Sequence, residues 1–312
     1  VTDAAELLAL LGLQHLADRL PPADAGFPMR VPRGFVARMR HGDARDPLLL
    51  QVLPQLTELD EVPGFTADAV GDMDARAAHG LLHKYHGRAL LIASGSCAIN
   101  CRYCFRRHFP YGEEIAAAGQ WRQALEHLRQ DDSISELILS GGDPLSLATS
   151  KLEELGRGLA ELPQVIRLRI HSRLPIVLPE RIDSAFLNWF GSLPIQKVMV
   201  LHVNHANELD PSVDAACARL RDAGATLLNQ SVLLRGVNDH VDALAGLSER
   251  LFAGGVLPYY LHQLDRVQGA AHFEVDDARA LALMDALRAR LPGYLVPRLV
   301  REVGGDASKR PV

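Results

Sequence analysis

The sequence predicts an α/β fold, an incomplete (β/α)6 barrel preceded by an N-terminal helical layer. From residue 88 onwards, short apolar segments begin about 30 residues apart, except for a longer first gap, with helical patterns between them, which is typical of right-handed βαβ units in a parallel sheet. A closed eight-unit barrel takes about 250 residues, so a chain of 312 residues has room for six units and a further layer. An open, doubly wound sheet is the alternative, because periodicity does not separate the two architectures.

The first 85 residues are predicted to form the helical layer that packs on the barrel. Apolar residues recur at helical spacing over residues 1–20, and Pro21 ends this pattern. Shorter helical patterns follow over Gly34–His41 and Asp74–Tyr85. We assign no chemistry to a motif in this region.

The barrel core is predicted over residues 86–294, followed by a C-terminal strand and tail over residues 295–312. Its predicted strands are Ala89–Ala93, Glu136–Ser140, Val165–His171, Lys197–Val203, Thr226–Leu233 and Val256–His262. The helices predicted after strands include Ser150–Glu161, Glu180–Phe190, Pro211–Ala223 and Asp242–Ala253. A last helix over Asp277–Leu291 and an apolar strand over Leu295–Val303 complete the pattern.

Polar residues follow the predicted strands at their carboxyl ends, which is where parallel barrels carry their chemistry. After the first strand comes a loop with three cysteines, and the later strands are followed by the polar groups Ser140–Asp143, His171–Arg173, His202–His205, Gln230–Arg235 and His262–Asp265. Together these groups predict one site at one rim of the barrel.

Cys97, Cys101 and Cys104 have the spacing Cys-x3-Cys-x2-Cys. Thiolates hold iron–sulfur clusters, and three of them leave one iron of a 4Fe–4S cluster open to another ligand. Structural zinc is the alternative; it takes four ligands, and His108 is the nearby candidate for the fourth. Cys217, alone on a helical pattern, is predicted to be a core residue.

Composition excludes several classes of protein. The net charge of −5 argues against a general nucleic-acid binder. No apolar run approaches the roughly 20 residues of a membrane span, and the first residues do not resemble a signal peptide. Clustered cysteines in a long chain fit a reducing cytoplasm, so we expect a cytoplasmic protein.

The cysteine spacing, with Tyr103 before the third cysteine, resembles that of the radical S-adenosylmethionine (SAM) superfamily. The segments 101–107, 140–145, 229–239 and 258–265 resemble lysine 2,3-aminomutases, and the resemblance covers about residues 80–312. The chain is most similar to the branch that makes (R)-β-lysine for the modification of elongation factor P. The resemblance implies a TIM-like (β/α)6 barrel of the radical SAM type with a C-terminal strand and tail that bind pyridoxal 5′-phosphate (PLP).

The resemblance also implies the cofactors, a 4Fe–4S cluster, SAM and PLP. The cluster is implied to be held by Cys97, Cys101 and Cys104, and Lys309 to form the internal aldimine with PLP. The other implied cofactor-binding residues are Tyr85, Arg88, Tyr103, Gly141, Gly142, Asp143, His202 and Gln230. By its local pattern alone, Lys309 is a solvated lysine of the tail.

Three residues are implied to bind the substrate, L-lysine. Arg106 matches the arginine that holds its carboxylate, and Asp265 matches an acid that binds its ε-ammonium group. Glu302 stands where the family has a second aspartate, seven residues before the PLP lysine. By its local pattern alone, Asp265 is a helix N-cap.

The implied reaction is the isomerisation of L-α-lysine to β-lysine by a 5′-deoxyadenosyl radical. The implied partners are a flavodoxin or ferredoxin as electron donor and a ligase that acts on elongation factor P. Two alternatives remain open, an aminomutase for another amino acid such as glutamate and a non-catalytic iron–sulfur electron carrier.

Overall fold

The computed structural model describes residues 1–22, 26–112, 115–119 and 121–312. Its centre is one ten-stranded sheet whose strands lie side by side in sequence order. The strands are β1 (Arg76–Ala78), β2 (Leu81–Tyr85), β3 (Arg88–Ser94), β4 (Glu136–Gly141), β5 (Arg167–Ser172), β6 (Gln196–His202), β7 (Ala225–Val232), β8 (Leu257–His262), β9 (Arg298–Arg301) and β10 (Arg310–Pro311).

Strands β3 to β9 are parallel to one another. At the two edges of the sheet, β1 and β2 are added antiparallel beside β3, and β10 is added antiparallel beside β9. A doubly wound sheet reverses its strand order at a switch point, and this sheet does not. Within the described ranges, no pairing joins β1 to β10, so the barrel is open. The prediction of an incomplete barrel is therefore confirmed, and β9, the strand predicted after the six barrel units, continues the parallel part of the sheet.

The helices are α1 (Ala4–Leu10), α2 (Arg33–Val36), α3 (Pro47–Leu50), α4 (Arg122–Gln130), α5 (Thr149–Leu159), α6 (Leu174–Val177), α7 (Ser184–Ser192), α8 (Pro211–Asp222), α9 (Val241–Ala253) and α10 (Asp277–Arg290). The predicted barrel helices are all found, with shifted ends. Helix α7 starts later than predicted because the carboxylate of Asp183 caps it by accepting a hydrogen bond from the Phe186 N–H at 2.8 Å. Pro179–Arg181 is a separate 3-10 turn.

The helix predicted over Asp74–Tyr85 is wrong, because this segment forms β1 and β2. Gly80 and Gly87 adopt φ angles of 69° and 74°, a left-handed conformation that glycine adopts without strain. These turns leave segments of strand length that pair with each other and with β3. The apolar residues of this segment have helical spacing, but the two turns and the pairing of β2 with the edge of β3 make it form strands instead.

The N-terminal layer is confirmed for α1 to α3, which share one hydrophobic core with the barrel. Leu7, Phe35 and Leu48 are fully buried in the same cluster as the strand residues Leu91 and Leu139. Cys217 is buried in this core, as predicted.

The C-terminal segment is a strand only over Arg298–Arg301, shorter than the predicted Leu295–Val303. Gly293–Leu295 form a 3-10 turn instead, and Pro297, which lacks an N–H group, immediately precedes β9. The tail then turns back, so that β10 pairs with β9 and brings Lys309 next to the rim of the barrel.

Candidate active site

A cavity of about 470 Å³ opens at the carboxyl ends of the parallel strands. Every residue to which the resemblance assigns a role lines it: Tyr85, Arg88, Cys97, Cys101, Tyr103, Cys104, Arg106, Gly141, Gly142, Asp143, His202, Gln230, Asp265, Glu302 and Lys309. Other members of the polar groups after the strands, such as His205, Arg235 and Gln263, do not line it. The fold therefore brings together groups that lie more than 200 positions apart in the sequence.

The three clustered cysteines lie on the loop after β3 and face this cavity. Burial raises the pKa of Cys104 to about 11 and that of Cys97 further, so both thiols are protonated at neutral pH until a metal replaces the proton. Nη1 of Arg173 donates a hydrogen bond to Sγ of Cys101 at 2.8 Å. His108 is turned away from the cavity, with its Nε2 3.2 Å from the carbonyl oxygen of Gln268, so the zinc alternative lacks its fourth ligand there.

Tyr103 is fixed by a buried polar network. Its hydroxyl accepts hydrogen bonds at 2.7 Å from Arg173 and at 2.7 Å from Asn204. Its ring stacks on that of His202, with 5.7 Å between centroids. Burial raises the pKa of Tyr103 and lowers that of His202 to about 3, so both rings stay neutral. The network holds one face of the cavity rigid next to the cysteines.

The Gly-Gly-Asp turn after β4 approaches the cysteine loop very closely. A Cβ atom on Gly141, whose φ is 123°, would lie 2.5 Å from the carbonyl oxygen of Ser94, and one on Gly142 would lie 2.6 Å from that of Ser96. The carboxylate of Asp143 accepts hydrogen bonds from the backbone of Leu145 and Arg173 and from Ser172, at 2.8 to 3.0 Å. Its carboxylate therefore already serves to hold the turn together.

Five charged side chains that line the cavity form a continuous series of ion pairs. Asp72 contacts both Arg106 and Lys84 at 2.6 Å, Lys84 contacts Glu302 at 3.1 Å, and Glu302 contacts Lys309 at 2.6 Å. Burial by itself raises the pKa of Glu302, but the ammonium groups of Lys309 and Lys84 outweigh burial and lower this pKa to about 2. Lys309 is thus a cavity residue held by a carboxylate and not a solvated lysine.

Asp265 has no hydrogen bond or ion pair from its carboxylate within the part of the chain that the structure describes. It caps no helix, since Asp276 is the N-cap of α10. Burial and the neighbouring charge of Glu302 raise its pKa to about 7. An ammonium group in the cavity would relieve both effects.

A family model described as a 4Fe–4S single cluster domain matches residues 86–164. The chain is 50% identical to L-lysine 2,3-aminomutase of Escherichia coli (strain K12) over 314 residues, which cover 100% of this chain and 92% of that protein. It is 33% identical to L-lysine 2,3-aminomutase of Clostridium subterminale over 91% of this chain and 68% of that protein. The chain belongs to the lysine 2,3-aminomutase family.

The fold has a relative among solved structures. A radical SAM methyltransferase from Sphaerobacter thermophilus matches 71% of this chain and 68% of its own, with a TM-score of 0.52 and 18% identity. This likeness concerns the fold alone. Lysine 2,3-aminomutases are radical SAM isomerases whose cofactors are a 4Fe–4S cluster, SAM and PLP, so the predicted enzyme class and cofactors are confirmed at the level of the family.

The cavity of this aminomutase has groups that fit these cofactors. Three thiols supply the donors that iron prefers. The guanidinium of Arg88 lies over the ring of Tyr85, 4.7 Å from its centroid, and among the described residues it has no ion-pair partner, which suits a phosphate. The Nε2 atoms of His171 and His262 are buried beside the cavity and have no hydrogen-bond partner in the described part of the chain.

Sequence reasoning missed several residues of the aminomutase site. Asp72 lies in a loop without a motif, and Lys84 was placed on a helix that does not exist. Arg173 was predicted only as a member of the polar group after the third strand, without a role, and Gln51 was not predicted, although both bond within the Tyr103 network. The alternation of β2, which turns Leu82 and Lys84 to the cavity, was the one signal that pointed to Lys84.

No helix in the described ranges is both long and apolar enough to cross a bilayer.

Proposed function

We propose that this chain converts L-α-lysine to (R)-β-lysine. One observation carries the proposal: all the residues that the resemblance implies for cluster, SAM, PLP and lysine line one cavity. Metal ligands at one end and a lysine amine with two acids at the other are the parts that such an isomerisation needs. The identity to curated L-lysine 2,3-aminomutases supports the same substrate.

At the end of the cavity that the cysteine loop lines, Cys97, Cys101 and Cys104 would hold the 4Fe–4S cluster. Arg173 donates a hydrogen bond to the Cys101 sulfur. The backbone of Gly141 and Gly142 and the side chain of Tyr103 would border SAM. When bound, the reduced cluster and SAM supply the abstraction of a hydrogen atom, and PLP supplies the carbonyl that carries the migrating amino group. The rigid, buried surroundings of Tyr103 exclude water from this end.

Elsewhere in the cavity, Lys309 would bind PLP covalently and release the product. Arg88 would bind the phosphate group of PLP by paired hydrogen bonds. His202 and Gln230, at the ends of β6 and β7, would border the same cofactors. Covalent binding of the cofactor by Lys309 would break its ion pair with Glu302, which is now 2.6 Å long. Glu302 is therefore placed to take up the positive charge of a substrate in exchange.

The acids in the cavity support lysine over other amino acids. Asp265 and Glu302 would bind the ε-ammonium group, and Arg106, held by Asp72, would bind the carboxylate. The side-chain carboxylate of glutamate would face both acids and be repelled. An electron carrier would need neither Lys309 nor these acids, so neither alternative is favoured by the cavity.

The setting of the reaction follows from the resemblance. We propose a flavodoxin or ferredoxin as the reductant and a ligase that attaches the β-lysine to elongation factor P as the next enzyme. A cluster with an open iron requires the reducing conditions of the cytoplasm. The R configuration and the use for elongation factor P are supported by the similarity to that branch alone.

An anaerobic assay tests the proposal. The reconstituted full-length chain is supplied with SAM, PLP, a reductant and either L-lysine or L-glutamate, and the products are resolved by chiral chromatography. We expect (R)-β-lysine from lysine and no product from glutamate. The variant Cys101→Ala should yield no product and no 5′-deoxyadenosine, whereas Cys217→Ala, which changes a core cysteine, should retain activity.

Three outcomes would contradict the proposal in whole or in part. Turnover of glutamate but not lysine would assign the chain to another substrate. Reduction of the cluster without SAM cleavage, with every amino acid tried, would favour an electron carrier. Formation of the S isomer would leave lysine as the substrate and would overturn the link to elongation factor P.

A further inference from the structure

A second group of potential metal ligands lies outside the cavity, where β2 meets α4. His83 on β2, His127 on α4 and Asp131, which directly follows α4, each place one donor atom within 4.8 Å of the other two. Leu82 and Lys84, the neighbours of His83, line the cavity. Because successive side chains of a strand point to opposite faces, His83 lies on the face away from the cysteines.

The ligands at the end of α4, His127 within the helix and Asp131 directly after it, are prearranged by local structure. His127 and Asp131 are four residues apart, so a helix places them one turn apart on the same side. Oδ1 of Asp131 accepts hydrogen bonds from the N–H of Ser133 at 3.0 Å and from its hydroxyl at 2.6 Å. This holds the carboxylate so that its other oxygen, Oδ2, lies 3.9 Å from Nδ1 of His83. Such outer partners are what orient carboxylate ligands in metal sites.

An ion pair between His83 and Asp131 does not account for His127. The two imidazole rings meet edge to face, with 6.4 Å between centroids and 87° between planes. Nε2 of His127 is buried and has no hydrogen-bond partner among the residues that the structure describes, although buried polar atoms ordinarily have one. A cation bound by this cluster would bring the three side chains together and would explain why two imidazoles lie beside one carboxylate.

We propose that His83, His127 and Asp131 form a second metal site, which takes one divalent transition cation such as zinc. Two imidazoles and a carboxylate suit zinc, which binds such nitrogen and oxygen atoms at about 2.0–2.2 Å and completes a tetrahedron with water. Ligands of one such ion lie closer together than the present spacing, so binding draws β2 and α4 towards each other. Because β2 also carries Lys84 and Tyr85, the ion fixes the strand that forms one wall of the cavity.

Zinc binding to the iron-loaded enzyme tests this site. The full-length chain is first reconstituted anaerobically, so that iron occupies the cysteines, and is then dialysed against zinc chloride. Zinc and iron are measured in the same sample by mass spectrometry. We expect one zinc per chain with no loss of iron, and a higher thermal unfolding midpoint when zinc is present, because an ion that binds only the folded state stabilises it.

Four variants locate the ion. Ser133→Ala removes an outer partner and should weaken zinc binding by about 10- to 100-fold. His127→Ala and Asp131→Asn remove ligands and should weaken it more; Asp131→Asn nearly preserves the shape of the side chain, in case His127→Ala folds poorly. His86→Ala, which changes a nearby exposed histidine outside the cluster, should bind zinc like the parent. Unchanged zinc binding in the two ligand variants, or zinc that enters only as iron leaves, would overturn the proposal.

Discussion

At the scale of the residue, the charges of the cavity explain which groups are free to bind a ligand. Glu302 pairs with both Lys84 and Lys309, and Lys84 also pairs with Asp72. Within the described residues, Arg88 and Asp265 have no ion-pair partner, one a cation and one an acid. A phosphate and an ammonium group are the ligands that these two charges complement.

The first prediction concerns Asp265, whose pKa is raised to about 7. An acid with a raised pKa is neutral below it, so the carboxylate that binds the ε-ammonium of lysine forms as the pH rises. We expect kcat/KM for lysine, which reports groups of the free enzyme, to increase through pH values of about 7 and then level off. Asp265→Asn should lose this limb of the profile and lower kcat/KM by about 100- to 1000-fold, since breaking a buried ion pair costs about 3–5 kcal/mol.

A matched control is Asp285→Asn, because Asp285 is an exposed partner of Arg288 on α10. This variant should keep both the magnitude and the pH profile of kcat/KM. If Asp265→Asn behaved in the same way, Asp265 would have no part in binding lysine.

The second prediction distinguishes the two lysines of the cavity. Lys84 donates hydrogen bonds to Val70 and Glu302 and pairs with Asp72, whereas the ammonium of Lys309 has Glu302 as its one acceptor among the described residues. Borohydride added with PLP should therefore label Lys309, as peptide mass analysis would show. Lys309→Ala should lose the label and turnover yet keep its iron, since no thiol is touched.

Labelling of Lys84 in the parent enzyme, or normal turnover by Lys309→Ala, would refute this assignment. Lys197→Ala, which changes a lysine on β6 outside the cavity, is the control and should retain both the label and the activity.

The residues of the site divide by how the sequence encodes them. Cys97, Gly141 and Asp265 belong to motifs at strand ends, so the sequence could predict them. Asp72 and Lys84 have no motif; their importance comes from long-range contacts with Arg106 and Glu302. Ion pairs between segments far apart in the chain cannot be deduced from local spacing.

At the scale of the element, predictions of helices and strands from local sequence patterns failed where turns divide the chain. Periodicity predicted the parallel strands to within two residues at most ends, because buried strands have a strong apolar signal. It failed at β1 and β2, where Gly80 and Gly87 mark hairpin turns. The Gly-Gly turn after β4 has the larger consequence, since it decides how closely β4 approaches the cysteine loop.

The third prediction is that Gly141→Ala damages both stability and cluster assembly. Its Cβ would lie 2.5 Å from a backbone oxygen, and its φ of 123° is one that alanine avoids. We expect the free energy of unfolding to fall by at least the roughly 1–3 kcal/mol that overpacking costs, and reconstituted iron to decrease. Chemical denaturation and iron analysis measure the two effects.

Gly246→Ala provides a control of opposite sign. Gly246 lies within α9, and a Cβ added there would meet no atom within 4 Å outside the backbone of its own helix. Alanine should therefore raise stability by up to about 1 kcal/mol. Equal stability of the two alanine variants would show that the close approach at Gly141 is unimportant.

At the scale of the whole molecule, the N-terminal segment is part of the barrel's structure. We propose that the parts 1–85, 86–294 and 295–312 unfold as one unit. Leu7 and Phe35 share the core of the strands, and the buried carboxylate of Glu58 pairs with Arg102 and Arg107 on the cysteine loop. The sequence predicted a packed layer but not this ion pair, because no local pattern links a 3-10 turn to a loop 44 residues away.

The last prediction tests this unity through Glu58→Gln. The variant leaves two buried guanidinium groups without their carboxylate, which should cost about 3–5 kcal/mol. Glu154→Gln, at a partly exposed pair with Lys151, should cost about 0–1 kcal/mol.

In the parent, fluorescence of Trp121 and Trp189 reports the barrel, and amide exchange in α1 reports the N-terminal layer. Both should be lost at the same denaturant concentration, and Glu58→Gln should shift both midpoints together. Exchange in α1 at concentrations that leave the tryptophan signal native would show instead that the layer unfolds on its own, and that the cysteine loop does not depend on it.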